Sequence, residues 1–184
     1  MRDVILCMSM SLDGFVGGGR EHPGMAIPGG AEVRQGKPDR ISKAGVRLMG
    51  RVTYQEMSSY WPHSDDPYAA PVNDIPTVVF SRPLSGAGAT WPGTRVVRGE
   101  LAAEIAAIRA GPGPGVIIWG GGRLAGAPAA QDLIDGYRLL VQPLVLGSGQ
   151  ALSGQLPQSG DLHLAGTMSF PGGFAGHLCR PQHS

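Results

Sequence analysis

The sequence contains few of the residues that carry metal, redox or disulfide chemistry: two cysteines and five histidines among 184 residues. Cys7 and Cys179 lie in apolar, strand-like segments at opposite ends of the chain, as small buried hydrophobic residues do. The histidines show no spacing typical of metal ligands, and the H-x-E and P-C-x-x-C motifs of zinc deaminases are missing. We therefore expect no disulfide, no metal site and no zinc deaminase.

Strong charge bias and long apolar runs are absent as well. The formal net charge is +1 and the basic residues are scattered, which argues against binding to nucleic acid or to an anionic membrane. The longest apolar runs have the length of a strand, and the first strand follows Met1 directly, so we expect neither a membrane-spanning helix nor a signal peptide. With 42% hydrophobic residues, we expect one domain over residues 1–184, in the cytoplasm.

The most informative stretch that is present covers residues 48–56. An apolar strand ends in Gly50-Arg51, and a helix with Thr53 in its first turn begins at once. The free N–H groups and the positive dipole end of a helix start favour an anion. Gly50 lets a ligand approach the main chain, Arg51 adds a permanent charge and Thr53 adds a hydroxyl. This pattern predicts a phosphate site, although an ordinary tight turn has the same layout.

Two further strands end in residues suited to anion binding. Residues 116–119 are apolar and are followed by three consecutive glycines, which leave the backbone bare for a ligand. Residues 77–80 are followed by Ser81-Arg82, which an ordinary solvated loop would also explain. If these strands are parallel neighbours, their carboxyl ends meet at one edge of a sheet, where α/β proteins bind ligands.

Seven short motifs appear along the chain in a characteristic order, at residues 8–15, 48–56, 60–62, 79–82, 119–124, 133–136 and 143–149. Together they resemble the dihydrofolate reductase-like family, and within it the branch related to the C-terminal reductase domain of the riboflavin-biosynthesis deaminase-reductase. The resemblance spans nearly the whole chain. It implies an α/β fold with a mostly parallel central sheet flanked by helices and an antiparallel C-terminal hairpin. It also implies a reductase without the deaminase half.

The resemblance further implies an NADPH site. Gly50, Arg51 and Thr53 would hold cofactor phosphates, and Ser81 and Arg82 would flank the adenosine 2′-phosphate. The residues that would cover the pyrophosphate are Gly120, Gly121, Gly122, Arg123 and Leu124. Relatives commonly pair as dimers, and a C-terminal hairpin with an exposed edge strand also favours a homodimer.

The chain departs from the family pattern in three places. It has Asp135-Gly136 where relatives usually carry Asp-Glu, and Leu152-Ser153 where they usually carry Leu-Phe. The loop 17–24 is unusually rich in glycine. These departures leave the substrate open among dihydropterins, ribosylaminopyrimidine phosphates and other small carbonyl or imine compounds.

Short apolar or β-branched runs, with clear alternation in the last strands, predict strands over residues 4–10, 46–49, 77–80, 95–97, 116–119, 137–142, 162–168 and 174–179. Helices are predicted over residues 53–59 and 101–110, the latter with Leu101, Ile105 and Ile108 on one face. Pro171-Gly172-Gly173 is typical of a hairpin turn. Tyr60, Trp61 and Pro62 are expected in the core, and Asp135 in a structural role.

The implied chemistry is hydride transfer from NADPH to a C=N or C=O bond of a small pterin-like or riboflavin-precursor-like compound. Asp13 is the best candidate catalytic residue, because it follows the first strand in a loop where ligand-facing residues concentrate. Its carboxylate would orient a ring N–H or support proton delivery. An Asx turn with Gly14 is the structural alternative.

Three other functions fit parts of the sequence. Residues 120–125 match the G-x-G-x-x-A motif of a Rossmann dehydrogenase, but they lie two-thirds along the chain and no acidic residue follows about 20 positions later. A nucleotide-binding or sensor protein without enzymatic activity is the second alternative, because a fold does not determine a function. A purely structural or interaction protein is the third.

Overall fold

The computed structural model describes residues 1–17, 44–120, 122–129, 131–152 and 160–182. Within these ranges the strands are β1 Val4–Ser11, β2 Phe15–Gly17, β3 Val46–Gly50, β4 Thr77–Phe80, β5 Thr94–Val97, β6 Val116–Trp119, β7 Gly136–Gln142, β8 Gln150–Ala151, β9 Leu162–Phe170 and β10 Phe174–Pro181. The α-helices are α1 Arg51–Tyr60, α2 Ala69–Asn73, α3 Leu101–Ala110 and α4 Gly122–Ala129. Single 3-10 turns occupy Trp61–His63, Gly86–Gly88 and Pro171–Gly173.

Eight strands form the main sheet in the order β5-β4-β3-β6-β1-β7-β10-β9. Neighbouring strands from β5 to β7 run parallel, and β10 runs antiparallel to both β7 and β9. The predicted fold class, a mostly parallel sheet with flanking helices and an antiparallel C-terminal hairpin, is therefore confirmed. The strand order also differs from the 3-2-1-4-5-6 order of a Rossmann dehydrogenase, which excludes that alternative.

The central strands are apolar because both faces of the sheet are covered. All four residues of β6 are buried. Successive residues point to opposite faces, so Leu48 and Ile118 join one core cluster while Met49 and Ile117 join the other. Ile105 of α3 packs into the first cluster, and α1 contributes Tyr54 and Met57 to the second. Each parallel strand is thus held between two apolar layers, as parallel sheets require.

One buried charge stands out within the second cluster. Arg47 of β3 is fully buried, and its guanidinium lies 4.1 Å from the ring centroid of Trp91. It donates hydrogen bonds to the Thr77 hydroxyl at 2.7 and 3.1 Å and to the Val72 carbonyl at 3.2 Å. Burial lowers the pKa of Arg47 to about 9, so the group is still charged near neutral pH. These contacts tie β3, β4 and α2 together.

The predicted elements are largely confirmed, and the misses have two causes. All eight predicted strands and both predicted helices are present, with ends that differ by zero to two residues. The strands β2 and β8 and the helix α2 were missed because two to five residues are too few to show a periodic pattern. The eight-residue helix α4 was missed because its glycines and Pro128 are poor helix formers. Within the described ranges, no helix is long and apolar enough to cross a membrane.

Two expectations about core and structural residues are also confirmed. Trp61 is buried in the second core cluster, with Tyr60 packed against it. The Asp135 carboxylate accepts a hydrogen bond from the Val4 N–H at 2.7 Å and pairs with Arg109 at 3.0 Å. Asp135 therefore joins the start of β1 to the end of α3, which is a structural role.

Candidate functional site

The parallel strands bring the predicted ligand-binding turns to one side of the sheet. We call the side at which β4, β3, β6, β1 and β7 end the carboxyl edge. Gly50 ends β3, Ser81 follows β4, and Gly120 follows β6. Since β3 lies between β4 and β6, the three turns are neighbours at this edge, as the sequence predicts.

The start of α1 has the features of an anion site. Gly50 is the N-cap residue, with φ −83° and ψ 167°, and its helix has neither a side-chain cap nor an acidic residue in its first turn. Among the described residues, no side chain therefore caps the start of α1. A Cβ atom at Gly50 would meet none of the described atoms within 4 Å, so the space beside Gly50 is open. Since this backbone conformation suits any residue, the glycine is not required by the turn itself.

The glycine after β6 packs directly against α1. Gly120 has φ +89°, and a Cβ atom there would lie 2.4 Å from Cγ2 and 2.5 Å from Oγ1 of Thr53. Thr53 is itself buried. Both the backbone conformation and the contact therefore demand glycine at position 120. Through this contact the two predicted phosphate turns pack against each other, and we call Gly50, Thr53 and Gly120 together the glycine ledge.

The rest of the second turn is described in part. Gly121 lies outside the described residues, as does most of the glycine-rich loop 17–24. Helix α4 begins at Gly122, and only the backbone of Arg123 is described. Leu124 is half-buried and packs against the first core cluster. Any contact of Leu124 with a phosphate would therefore involve its main chain.

The turn after β4 is held by an arginine that sequence reasoning missed. The buried Ser81 hydroxyl accepts the Leu84 N–H at 3.0 Å. Arg98, which directly follows β5, donates Nε to the Arg82 carbonyl at 3.2 Å and a terminal N–H to the Leu84 carbonyl at 3.4 Å. The available signal was the same one that singled out Arg82: a cation immediately after a short apolar strand.

Two exposed arginines add positive charge to the carboxyl edge. Arg51, at the first position of α1, is exposed and donates a hydrogen bond to the Gln55 side chain at 3.3 Å. Arg82 is exposed, and no ion pair of either guanidinium occurs among the described residues. Both are available to an anionic ligand at the carboxyl edge.

Asp13 fastens two loops together at the same edge. Its carboxylate accepts the Leu146 N–H at 3.1 Å and the Gly147 N–H at 2.7 Å. A hydrogen bond from the Ser11 side chain, together with these backbone N–H groups, lowers the pKa of Asp13 to about 2. The carboxylate is therefore ionised near neutral pH. It links the turn after β1 to the loop after β7 and is exposed beside them.

No group of three or more histidine, cysteine, aspartate or glutamate side chains that would hold a metal ion occurs in the described part of the chain. Cys7 and Cys179 are half-buried and both are free thiols. The Cys7 thiol has its pKa raised to about 11 by burial, against the opposing effect of Arg138. It is therefore protonated and unreactive at neutral pH.

Comparison with known proteins places this site in context. The sequence profile of the RibD C-terminal domain matches residues 2–175. The uncharacterized protein YyaP of Bacillus subtilis (strain 168) is 25% identical over 177 residues, covering 94% of this chain and 91% of YyaP. Its description assigns no activity.

Two solved structures share the fold. A Shewanella sp. PV-4 protein with a provisional assignment to riboflavin biosynthesis superposes with a TM-score of 0.77 at 22% identity, covering 98% of this chain and 99% of that protein. The dihydrofolate reductase of Enterococcus faecalis, solved with NADP(H) and RAB-propyl, gives a TM-score of 0.66 at 12% identity, covering 98% of this chain and 97% of that protein. At these identities the likeness concerns the fold.

Proposed function

The chain belongs to the RibD C-terminal domain family, and from that premise we propose that it is an NADPH-dependent reductase. The compound reduced would be a small pterin-like or riboflavin-precursor-like molecule with a C=N or C=O bond. The reductase-like fold is shared with the RibD reductases and with dihydrofolate reductase. The cofactor and the substrate are our inference.

The glycine ledge is the observation that carries this proposal. It combines uncapped helix N–H groups, open space at Gly50 and close packing between Gly120 and Thr53. A dinucleotide needs such a surface, because its pyrophosphate must approach the main chain closely and its charge must be neutralised. The residues present therefore fit the cofactor that the family implies.

Each predicted residue has a role in this assignment. Gly50, Arg51 and Thr53 would hold phosphate oxygens at the start of α1, and the turn formed by residues 120–124 would cover the pyrophosphate. Arg82 would bind the adenosine 2′-phosphate. Ser81 fixes the turn that carries Arg82 through its hydrogen bond to Leu84. Arg98 positions the same turn from the neighbouring strand.

The cofactor, when bound, supplies the hydride. The protein must hold the acceptor compound next to it, exclude water and deliver a proton. Asp13 is better suited to holding the acceptor compound than to delivering a proton, because a carboxylate with a pKa of about 2 holds no proton at neutral pH. We infer that Asp13 fixes the loop at residues 146–147 beside the acceptor.

The ionised state and the hydrogen bonds of Asp13 also give a second candidate function some support. Since Asp13 is ionised and already engaged by two N–H groups, the protein would also suit a nucleotide-binding or sensor role without turnover. Oxidation of NADPH in the presence of a substrate separates the two functions. A sensor would bind the nucleotide and consume none.

The decisive experiment is a titration of the protein with NADPH and NADH, followed by tryptophan fluorescence, and then a screen for NADPH oxidation with dihydropterins, aminopyrimidine sugars and small imines. We expect tighter binding of NADPH than of NADH and turnover with one substrate class. Failure to bind either nucleotide would refute the proposal. Binding without turnover across the whole screen would favour the sensor.

A further inference from the structure

A cavity of about 410 Å³ lies at the amino edge of the sheet, which is the side at which the parallel strands begin. Its wall comes from the start of β1, the start of β6, the first part of β7 and the end of β10. The predicted cofactor residues lie at the opposite, carboxyl edge. Cavities that hold small molecules have volumes from about 300 Å³ upwards. The amino edge therefore has room for a ligand of its own.

Three arginines from distant parts of the sequence line this cavity, which we call the arginine cavity. Arg2 precedes β1, Arg138 lies in β7, and Arg180 lies near the end of β10. Arg138 pairs with Leu178 of β10. Because side chains alternate along a strand, Arg180, two residues after Leu178, lies on the same face of the sheet as Arg138. The fold thus gathers positive charges that are scattered in the sequence.

No carboxylate balances these charges within the described part of the chain. Asp3 is the acidic residue of the lining, and it forms no ion pair with the three arginines. The ion pairs that the described residues form are Arg95 with Glu104 and Arg109 with Asp135. Like charges that share a cavity repel one another and raise the local concentration of anions. The arginine cavity therefore favours an anion from solution.

Arg138 shows this lack of a counter-ion most clearly. It is half-buried, and its Nε is buried without a hydrogen bond. Its partner across β1 is Cys7, whose pKa burial raises to about 11, so the thiol carries no negative charge at neutral pH. The two terminal nitrogens are not among the buried unpartnered atoms, and the side chain lines the cavity. A ligand would therefore meet the terminal N–H groups of Arg138 rather than Nε.

Arg2 is held in place by the main chain around it. Its Nε donates to the Pro114 carbonyl, and a terminal nitrogen donates to the Ile108 carbonyl at 3.4 Å. A Cβ atom at Gly45 would overlap the other terminal nitrogen, so the glycine leaves room for the guanidinium. Arg180, in contrast, is exposed. The cavity thus combines a fixed charge with one that is able to turn towards a bound anion.

The rest of the lining indicates what kind of anion fits. Ile5 and Ile117 are paired neighbours in the sheet, and with Leu178 they give the cavity an apolar wall. Three arginines and one aspartate leave two positive charges. A phosphate monoester matches them, because it carries a charge of about −1.5 to −2 near pH 7, whereas a carboxylate carries one. An apolar wall beside this charge suits an ester with a small organic part.

We propose that the arginine cavity binds a small organic phosphate monoester, with Arg2, Arg138 and Arg180 around the phosphate group and the apolar wall against the organic part. A guanidinium offers paired N–H donors that match two oxygens of a phosphate. The volume of the cavity suits a free small molecule. This site lies at the other end of the strands from the predicted cofactor site, so the two sites are independent.

The test is calorimetry in phosphate-free buffer, with phenyl phosphate as the probe and inorganic phosphate for comparison. The parent protein is compared with Arg138→Met and Arg180→Ala. Arg95→Gln is the matched control, because Arg95 is also an exposed arginine on a strand but does not line the cavity. Arg82→Ala reports whether the probe binds at the carboxyl edge instead. Thermal unfolding of each protein, with and without the probe, shows that the variants are folded.

We expect the parent to bind phenyl phosphate with a dissociation constant of roughly 1 mM or tighter, and inorganic phosphate more weakly. Arg138→Met and Arg180→Ala should each weaken binding of the probe about tenfold, because each removes a charge-assisted contact. Arg95→Gln and Arg82→Ala should bind the probe as the parent does. The probe should raise the melting temperature of the parent, since it binds the folded state.

Several outcomes would overturn the assignment of the arginine cavity. Failure of the parent to bind phenyl phosphate at several millimolar would do so, as would unchanged affinity in Arg180→Ala. Arg180 is exposed, so this variant decides the question even if Arg138→Met does not fold. A loss of affinity in Arg82→Ala alone would place the probe at the carboxyl edge. Equal affinity for inorganic phosphate would reject the organic ester.

Discussion

Single residues at the carboxyl edge divide into those that the fold requires and those that it leaves free. Gly120 is required, since its φ of +89° and its contact with Thr53 both exclude a side chain. Arg98 donates hydrogen bonds to the backbone carbonyls of Arg82 and Leu84. Arg51 and Arg82, in contrast, are exposed. An exposed guanidinium that forms no ion pair with the described residues is suited to binding an anion.

The charges of Arg51 and Arg82 give a prediction about cofactor choice. Arg82→Ala should weaken NADPH binding about tenfold to a hundredfold, because a charge-assisted hydrogen bond contributes roughly 1.5–3 kcal/mol. NADH, which lacks the 2′-phosphate, should be affected less. Arg51→Ala should show the same direction. Titrations of each variant with both nucleotides measure the effect.

Arg180→Ala is the control for these variants, since Arg180 is an exposed arginine near the end of β10, at the opposite edge of the sheet. It should bind both nucleotides as the parent does. Equal losses of NADH and NADPH affinity in Arg82→Ala would reject the 2′-phosphate assignment, while a general phosphate role would still stand.

At the scale of secondary structure elements, the start of α1 is the element end best suited to a ligand. Most helices carry a serine, threonine, aspartate or asparagine at the N-cap, whose side chain satisfies a free N–H group. Helix α1 has Gly50 there and no side-chain cap. The free N–H groups and the helix dipole are thereby left to an anion from outside the chain.

Gly50→Ser tests this reading of α1. A serine Oγ at the N-cap would accept a helix N–H and occupy the open space, so the protein should keep its free energy of unfolding within about 0.5 kcal/mol or gain slightly. NADPH binding should weaken about tenfold or more, because the hydroxyl competes with a phosphate. Denaturant unfolding and nucleotide titration give the two numbers. A variant that binds NADPH like the parent would show that no phosphate lies at α1.

The link between β1 and the loop after β7 is the second element-scale feature. Asp13 supplies it through hydrogen bonds to Leu146 and Gly147. Since the pKa of Asp13 is lowered from 3.8 to about 2, the stabilisation is fully present above pH 3.8. It is lost as the pH falls through about 2. The link is therefore intact across the physiological pH range.

Asp13→Asn should lower turnover about a hundredfold while the affinity for NADPH stays nearly constant, because the predicted phosphate residues lie on other strands. An asparagine keeps one acceptor oxygen and loses the second together with the charge, so the loop at residues 146–147 is held less firmly. Steady-state kinetics and nucleotide titration separate the two effects. Asp3→Asn, an exposed aspartate before β1, should behave as the parent. Unchanged turnover in Asp13→Asn would reduce Asp13 to a turn residue.

On the scale of the whole molecule, the edge strand β9 is the feature best suited to pairing with another chain. It closes one end of the main sheet, and Leu162 and Leu164 on its apolar face are 46% and 51% exposed. Long edge strands with exposed apolar residues are usually protected by charges or covered by another chain. We infer a homodimer through β9, with residues 1–184 forming one domain in each protomer.

The dimer gives a prediction about mass and cooperativity. Light scattering should give twice the chain mass of 19.1 kDa, and thermal unfolding should show one transition. Leu164→Lys should yield a monomer, because a lysine on this face blocks edge-to-edge pairing. His163→Lys, which lies between Leu162 and Leu164 in a regularly paired part of β9 and therefore on the opposite face, should leave the dimer intact. A parent protein of single chain mass would reject the homodimer.

The sequence by itself determined the elements and the turns. Short apolar runs and apolar alternation identified eight of the strands, and the residues directly after β3, β4 and β6 were recognisable as anion-binding types without any coordinates. Such features are local: they depend on a few consecutive residues and on backbone preferences. The short elements β2, β8 and α2 were missed, because their formation depends on the surrounding packing rather than on their own pattern.

Only the tertiary structure decided how these pieces meet. The insertion of β6 between β3 and β1 sets Gly120 against Thr53, a contact between residues 67 positions apart that no local pattern encodes. The hydrogen bonds of Arg98 and the engagement of Asp13 by Leu146 and Gly147 likewise depend on contacts between distant segments. The sequence thus shows which residues are able to bind an anion. Strand order decides which of them do so together, because only neighbouring strand ends are close enough to share one ligand.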